Sequence, residues 1–106
     1  MTKCDFDKHV ADFHEEMLAI TSVKNTDYSA GHADAMANYY ELSNASGVTP
    51  FQAWMCLFMK HVTAIMRYAK TGSVLSESIH GRMLDVANYA VLGDALIKDM
   101  AAKESK

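Results

Sequence analysis

Apolar residues recur at helical spacing along most of the chain. Phe6, Val10, Phe13, Met17 and Ile20 follow one another at intervals of 4, 3, 4 and 3 residues. That places them on one helical face, with Asp12, Glu15 and Glu16 off it. The pattern predicts a first helix over residues 5–21. The stretch from Val23 to Gly31 is rich in small and polar residues and reads as a turn. A second, shorter helix is expected over 32–43, stopping before Asn44, Ser46 and Gly47. The third helix, 50–71, has the clearest start signal. Thr49 suits the N-cap, Pro50 the first helical position and Gln52 the third, which together form a capping box. Val48 is placed to pack back on the first turn, and Gly72 suits the left-handed position that ends a helix. The last helix is expected over 77–102 with Ser76 as its cap. Met83, Val86, Ala90 and Ile97 give it an apolar side. Gly81 and Gly93 interrupt it at about 1 kcal/mol each against alanine. A close helix contact or a ligand would account for them. No segment alternates with strand period. The expectation is a single all-α domain over 1–106, a small bundle of about four helices with short connections.

Composition narrows this picture. The chain has 106 residues, 50% of them apolar, with one proline and five glycines. That excludes a disordered tail, a collagen-like repeat and a low-complexity linker. A net charge of −3 argues against a generic nucleic-acid binder, which needs clustered lysine and arginine. Cys4 and Cys56 make no disulfide framework and read as free thiols of a reducing compartment. The start of the chain is polar, without the apolar core of a signal peptide. The longest run free of charged residues, Leu42 to Met59, contains Asn44, Pro50 and Gln52 and does not read as a membrane span. A cytoplasmic protein is expected.

Candidate chemistry gathers at the start of the last helix. Glu77, Gly81, Asp85 and Asn88 stand at offsets of 0, 4, 8 and 11. At about 100° per residue they share an arc of roughly 80°. Two carboxylates, an amide and a side-chain-free gap suit either a hard metal such as Mg²⁺ or a phosphate-bearing ligand. A solvated polar stripe is the alternative. Asp85 and Asn88 lie within the apolar run MLDVANYAVL, which favours an inward orientation, where polar groups need partners. On the third helix Lys60, Thr63 and Arg67 share a face that would either pair with those carboxylates or neutralise phosphate. His61 reads as a packed residue. Asp27 is either a turn residue or a ligand contact, and Tyr28, Tyr39 and Tyr40 are either core or rim residues or base-stacking ones. His14 is not part of a zinc helix, because residue 18 is Leu.

Taken together, these segments resemble the small helical phage and prophage proteins related to MazG-type nucleotide pyrophosphatases. Lys24, Asp27, Tyr28 and Ser29 match a K-x-x-D-Y-[GS] segment of that group. Asn38 and Tyr39 match an asparagine–aromatic pair. Gly47, Val48, Pro50 and Phe51 match G-V-x-P-[WF], and Ala69, Lys70 and Gly72 match A-K-x-G. Glu77, Ser78, Asp85, Ala87, Asn88, Tyr89 and Ala90 match the closing E-S and D-L-A-N-Y-A pattern. The match covers about residues 24–97. Two departures stand out. Lys60-His61 replaces an Asp-Lys pair, with Ala64 where an arginine is expected and Arg67 one turn on. Gly81, followed by Arg82, replaces an aspartate.

The resemblance implies a nucleotide site with Glu77 and Asp85 as catalytic, Mg²⁺-holding residues. Lys24, Asp27, Tyr28, Asn38, Lys60, Arg67, Arg82 and Asn88 would contact the nucleotide. It leaves two versions open. In one, Mg²⁺ on Glu77 and Asp85, helped by Glu16, positions water for pyrophosphohydrolysis of a nucleoside triphosphate. In the other, Lys60, Arg67 and Arg82 hold phosphate without turnover. A third reading, from the size and acidity of the chain, is a phage helical module that docks on a host or phage enzyme. Four short helices leave apolar surface uncovered, so a homo-oligomer is expected.

Overall fold

Thr49, Pro50 and Gln52 start the helix that organises the molecule. The Thr49 hydroxyl accepts the Gln52 amide at 3.1 Å, and Gln52 Oε1 accepts the Thr49 amide at 2.9 Å. Gly72 ends the helix at φ 73°, its N–H on the Tyr68 carbonyl. The computed structural model describes residues 1–28, 34–74 and 77–104, and of 24–28 the backbone alone. It contains α1 (Lys3–Tyr28), α2 (Ala37–Ser46), α3 (Pro50–Thr71) and α4 (Ile79–Glu104). Among the described residues there is no strand, so the all-α bundle is the fold. None of the described helices is long and apolar enough to cross a membrane.

The core forms where α2, α3 and α4 meet. Met36, Tyr39, Trp54, Tyr89, Leu92 and Leu96 are buried together. Trp54 is stacked between Phe51 and Phe58, with ring centroids 4.9 and 5.0 Å away, and its indole N–H donates to the Tyr89 carbonyl at 2.9 Å. Gly93 lies under the same indole, and a Cβ there would come within 2.5 Å of the ring. That glycine is explained by close helix approach. Gly81 belongs instead to the helix start, where its amide donates to the Ser78 hydroxyl at 2.9 Å.

Three helices differ in their bounds, and one in its inner face, from the sequence reading. α1 runs on to Tyr28, through the start of the expected turn, since no glycine or proline stands before Gly31 to stop it. α2 begins at Ala37, after an Asp34 side-chain bond to the Met36 amide, and ends at Ser46, where Gly47 adopts φ 74°. α4 begins at Ile79 with Ser78 as the capping hydroxyl; Ser76 lies outside the described residues. The inner face of α4 carries Leu84, Asp85, Asn88, Tyr89, Leu92 and Leu96, while Met83, Ala90 and Ile97 are exposed. Apolar residues surround this helix on all sides, and the Trp54–Gly93 contact selects which side turns inward. Val48 is also exposed.

α1 packs on α4 alone among the well-contacted pairs. Phe13, Met17 and Ile20 of its apolar stripe are half-buried, whereas Phe6 and Val10 are exposed. The molecule is consequently long, 50 × 29 × 24 Å. At the far end, Tyr40 of α2 donates to Asp99 of α4 at 2.8 Å, and Lys103 holds the same carboxylate at 2.6 Å while lying over the Tyr40 ring.

Candidate functional site

The three helices of the core part at one end to leave a polar pocket of about 390 Å³. Its wall combines Asn38 and Leu42 from α2, Leu57, Lys60 and His61 from α3, and Asp85 and Tyr89 from α4, with Glu77 just before α4. Asp85, Tyr89 and His61 are buried and form the floor; Lys60 and Glu77 are exposed and form the rim. Glu77, expected inside the last helix, lies two residues before it and still reaches the same cavity as Asp85.

The floor is organised by Arg82, which is only 8% exposed. Its Nη1 lies 3.1 Å from His61 Nδ1. A guanidinium can only donate, so that contact asks His61 Nδ1 to accept. The same Nδ1 is 3.4 Å from Asp85 Oδ2. Arg82 Nε lies 3.8 Å from Glu77 Oε2. One buried guanidinium thus stands among the two carboxylates that the resemblance assigns to Mg²⁺. Lys60 makes no hydrogen bond or ion pair with any described residue, and its ammonium is left to the pocket mouth.

Mg²⁺ calls for a near-octahedral shell of oxygens, with carboxylates supplying the charge. Here Glu77 and Asp85 already face Arg82 and His61. A dication brought between them would leave a buried guanidinium uncompensated, which is strongly unfavourable. Among the described residues no group of three His, Cys, Asp or Glu side chains is arranged to hold a metal. The residues present do not fit the ion.

The other sequence candidates fall in different places. Asn88 is fully buried on the inner face of α4, yet it does not line the pocket, and its Oδ1 and Nδ2 meet no hydrogen-bond partner among the described residues. Arg67 lies two turns beyond Lys60 and lines a separate, apolar depression with Met66 and Lys70. Glu16 is not at the pocket. It pairs with His80 at 2.8 Å and lines another depression with Asp12 and Glu15. The side chains of Lys24, Asp27 and Tyr28 lie outside the described residues; their backbone is the last turn of α1. His61, read from sequence as a packed residue, is both packed and part of the wall, as are Leu42, Leu57 and Tyr89. Leu57 and His61 are one turn apart and flank Lys60, so the helical spacing that singled out Lys60 also contained them.

No protein-family model, curated protein or solved structure matches the chain.

Proposed function

We propose that this chain binds a nucleotide in the α2–α3–α4 pocket, as a relative of the MazG-type proteins that holds its ligand without Mg²⁺ and without turnover. The observation that carries the reading is the convergence of Asn38, Lys60, Glu77 and Asp85, from three helices and a connection, on one cavity. Two residues that the resemblance assigns to nucleotide contact, Asn38 and Lys60, and the two it assigns to catalysis, Glu77 and Asp85, thereby share a wall with apolar Leu42, Leu57 and Tyr89. That mixture of apolar lining and a few placed polar groups is typical of small-molecule sites. Arg82, buried behind that wall against His61 and Glu77, balances carboxylate charge from a fixed position. Free, exposed cysteines accord with a cytoplasmic setting, in a host cell if the chain is encoded by a phage.

Thermal shift of the full chain against a nucleotide panel, with Mg²⁺ and with EDTA, tests this directly. A raised melting temperature that is the same in both buffers is the expected result, with no pyrophosphate released from triphosphates. A shift that requires Mg²⁺, together with pyrophosphate release abolished in Asp85→Ala, would restore the hydrolase. Absence of any shift across the panel would leave the helical docking module.

The chain is also proposed to associate with itself. A folded monomer of this mass exposes roughly 5,900 Å². This one exposes 7115 Å². The excess, roughly 1,200 Å² on that scaling, is larger than the ~800 Å² each partner covers in a standard interface. Phe6, Val10 and Leu18 of α1 and Met55, Met59 and Met66 of α3 contribute exposed apolar surface.

A further inference from the structure

The charge and size of the pocket limit what kind of nucleotide it takes. Lys60 is the described cation of its wall, and Glu77 and Asp85 its described carboxylates, with Arg82 behind the wall against His61 and Glu77. Its lining thus holds one lysine against two carboxylates. Arg82 is already engaged by His61 and lies beside Glu77. That leaves Lys60 as the described cation available to a ligand anion. It is at the rim, whereas Asp85 is at the floor. A carboxylate accepts hydrogen bonds and repels phosphate. The floor therefore selects the donor-bearing part of a ligand, such as a sugar hydroxyl or an exocyclic amine. The rim selects a single anionic group. At about 390 Å³ the cavity stands near the small end of ligand pockets. A long polyphosphate would leave it and run past Glu77 with one lysine to balance it.

Resting on the nucleotide-binding reading above, we infer that the preferred ligand is a nucleoside monophosphate, bound metal-free with its phosphate on Lys60 and its sugar or base donors toward Asp85. The corresponding triphosphate binds more weakly, because the pocket has neither the metal nor the cations that its additional charge demands.

The test is isothermal titration calorimetry on the full chain in EDTA. Each nucleoside and its mono- and triphosphate are compared, and then repeated with Mg²⁺. The expected order is monophosphate tightest, at least tenfold ahead of the triphosphate in either buffer. Lys60→Gln is expected to weaken the monophosphate about tenfold and to leave the nucleoside unchanged. Glu77→Gln relieves repulsion at the rim and narrows the gap between mono- and triphosphate. Triphosphates binding tightest, with or without Mg²⁺, would overturn the inference while leaving nucleotide binding intact. So would a Lys60→Gln variant that loses nucleoside and monophosphate alike. Failure of every nucleotide to bind would overturn the underlying reading itself.

Discussion

Asp85 and Glu77 have the same chemistry and opposite surroundings. Asp85 is 4% exposed beside His61 and Arg82, whereas the Glu77 side chain is half-exposed. Removing one partner of a buried charged group leaves the others uncompensated at about 3–5 kcal/mol, while an exposed pair contributes about 0–1 kcal/mol. Asp85→Ala is therefore expected to lower stability by about 3 kcal/mol and Glu77→Ala by less than about 1 kcal/mol, both read from urea unfolding. Asn88 predicts the opposite sign. Its buried amide meets no described partner, and an apolar residue of similar shape avoids the cost of desolvating it. Asn88→Leu is expected to raise stability by about 1 kcal/mol in the same assay. Tyr40 adds a pH dependence. Burial first, and then the Asp99 carboxylate, hold its phenol above the ordinary value of 10.0. An acid whose folded pKa is raised stabilises the fold fully below its unfolded pKa and loses that contribution as pH rises through the folded value. The urea midpoint should thus fall on the alkaline side of about pH 10, and Tyr40→Phe should flatten that decline.

At the scale of elements, legibility followed locality. The bounds of α3 were readable because its start and stop depend on Thr49, Pro50, Gln52 and Gly72, each acting on the adjacent backbone. The orientation of α4 was not. Its two candidate faces, one with Met83 and Ile97 and one with Leu92 and Leu96, are equally apolar in one dimension, and a contact 39 residues away in sequence, Trp54 on Gly93, decides between them. Glu77 and Asp85 were legible as neighbours from their closeness in sequence, although Glu77 stands in the connection before α4 and not on the helix as expected. The role of Arg82 was not, since its partner His61 is on another helix. The Trp54–Gly93 contact predicts its own sensitivity. The indole is held by two stacked rings and a hydrogen bond and has no room to yield. Gly93→Ala should cost about 2 kcal/mol by overpacking, despite the gain in helix propensity, and shift the Trp fluorescence. Gly81→Ala meets only the Ser78 hydroxyl, at 3.2 Å, and should change stability far less.

On the scale of the whole molecule, a compact three-helix core holds the pocket, and α1 extends along α4 with much of its apolar stripe uncovered. Size-exclusion chromatography with light scattering at micromolar concentration should return at least a dimer, and a stable monomer would contradict that expectation. The pocket itself is bounded by residues of one chain, so ligand binding should survive dilution of any such assembly. The most direct test of the central claim is a nitrogen-15 NMR titration of the full chain with a nucleoside monophosphate in EDTA. Shifts concentrated at Asn38, Lys60, His61, Glu77, Asp85 and Tyr89 are the predicted result. Shifts confined to the outer faces of α1 and α3, or none at saturating ligand, would contradict it.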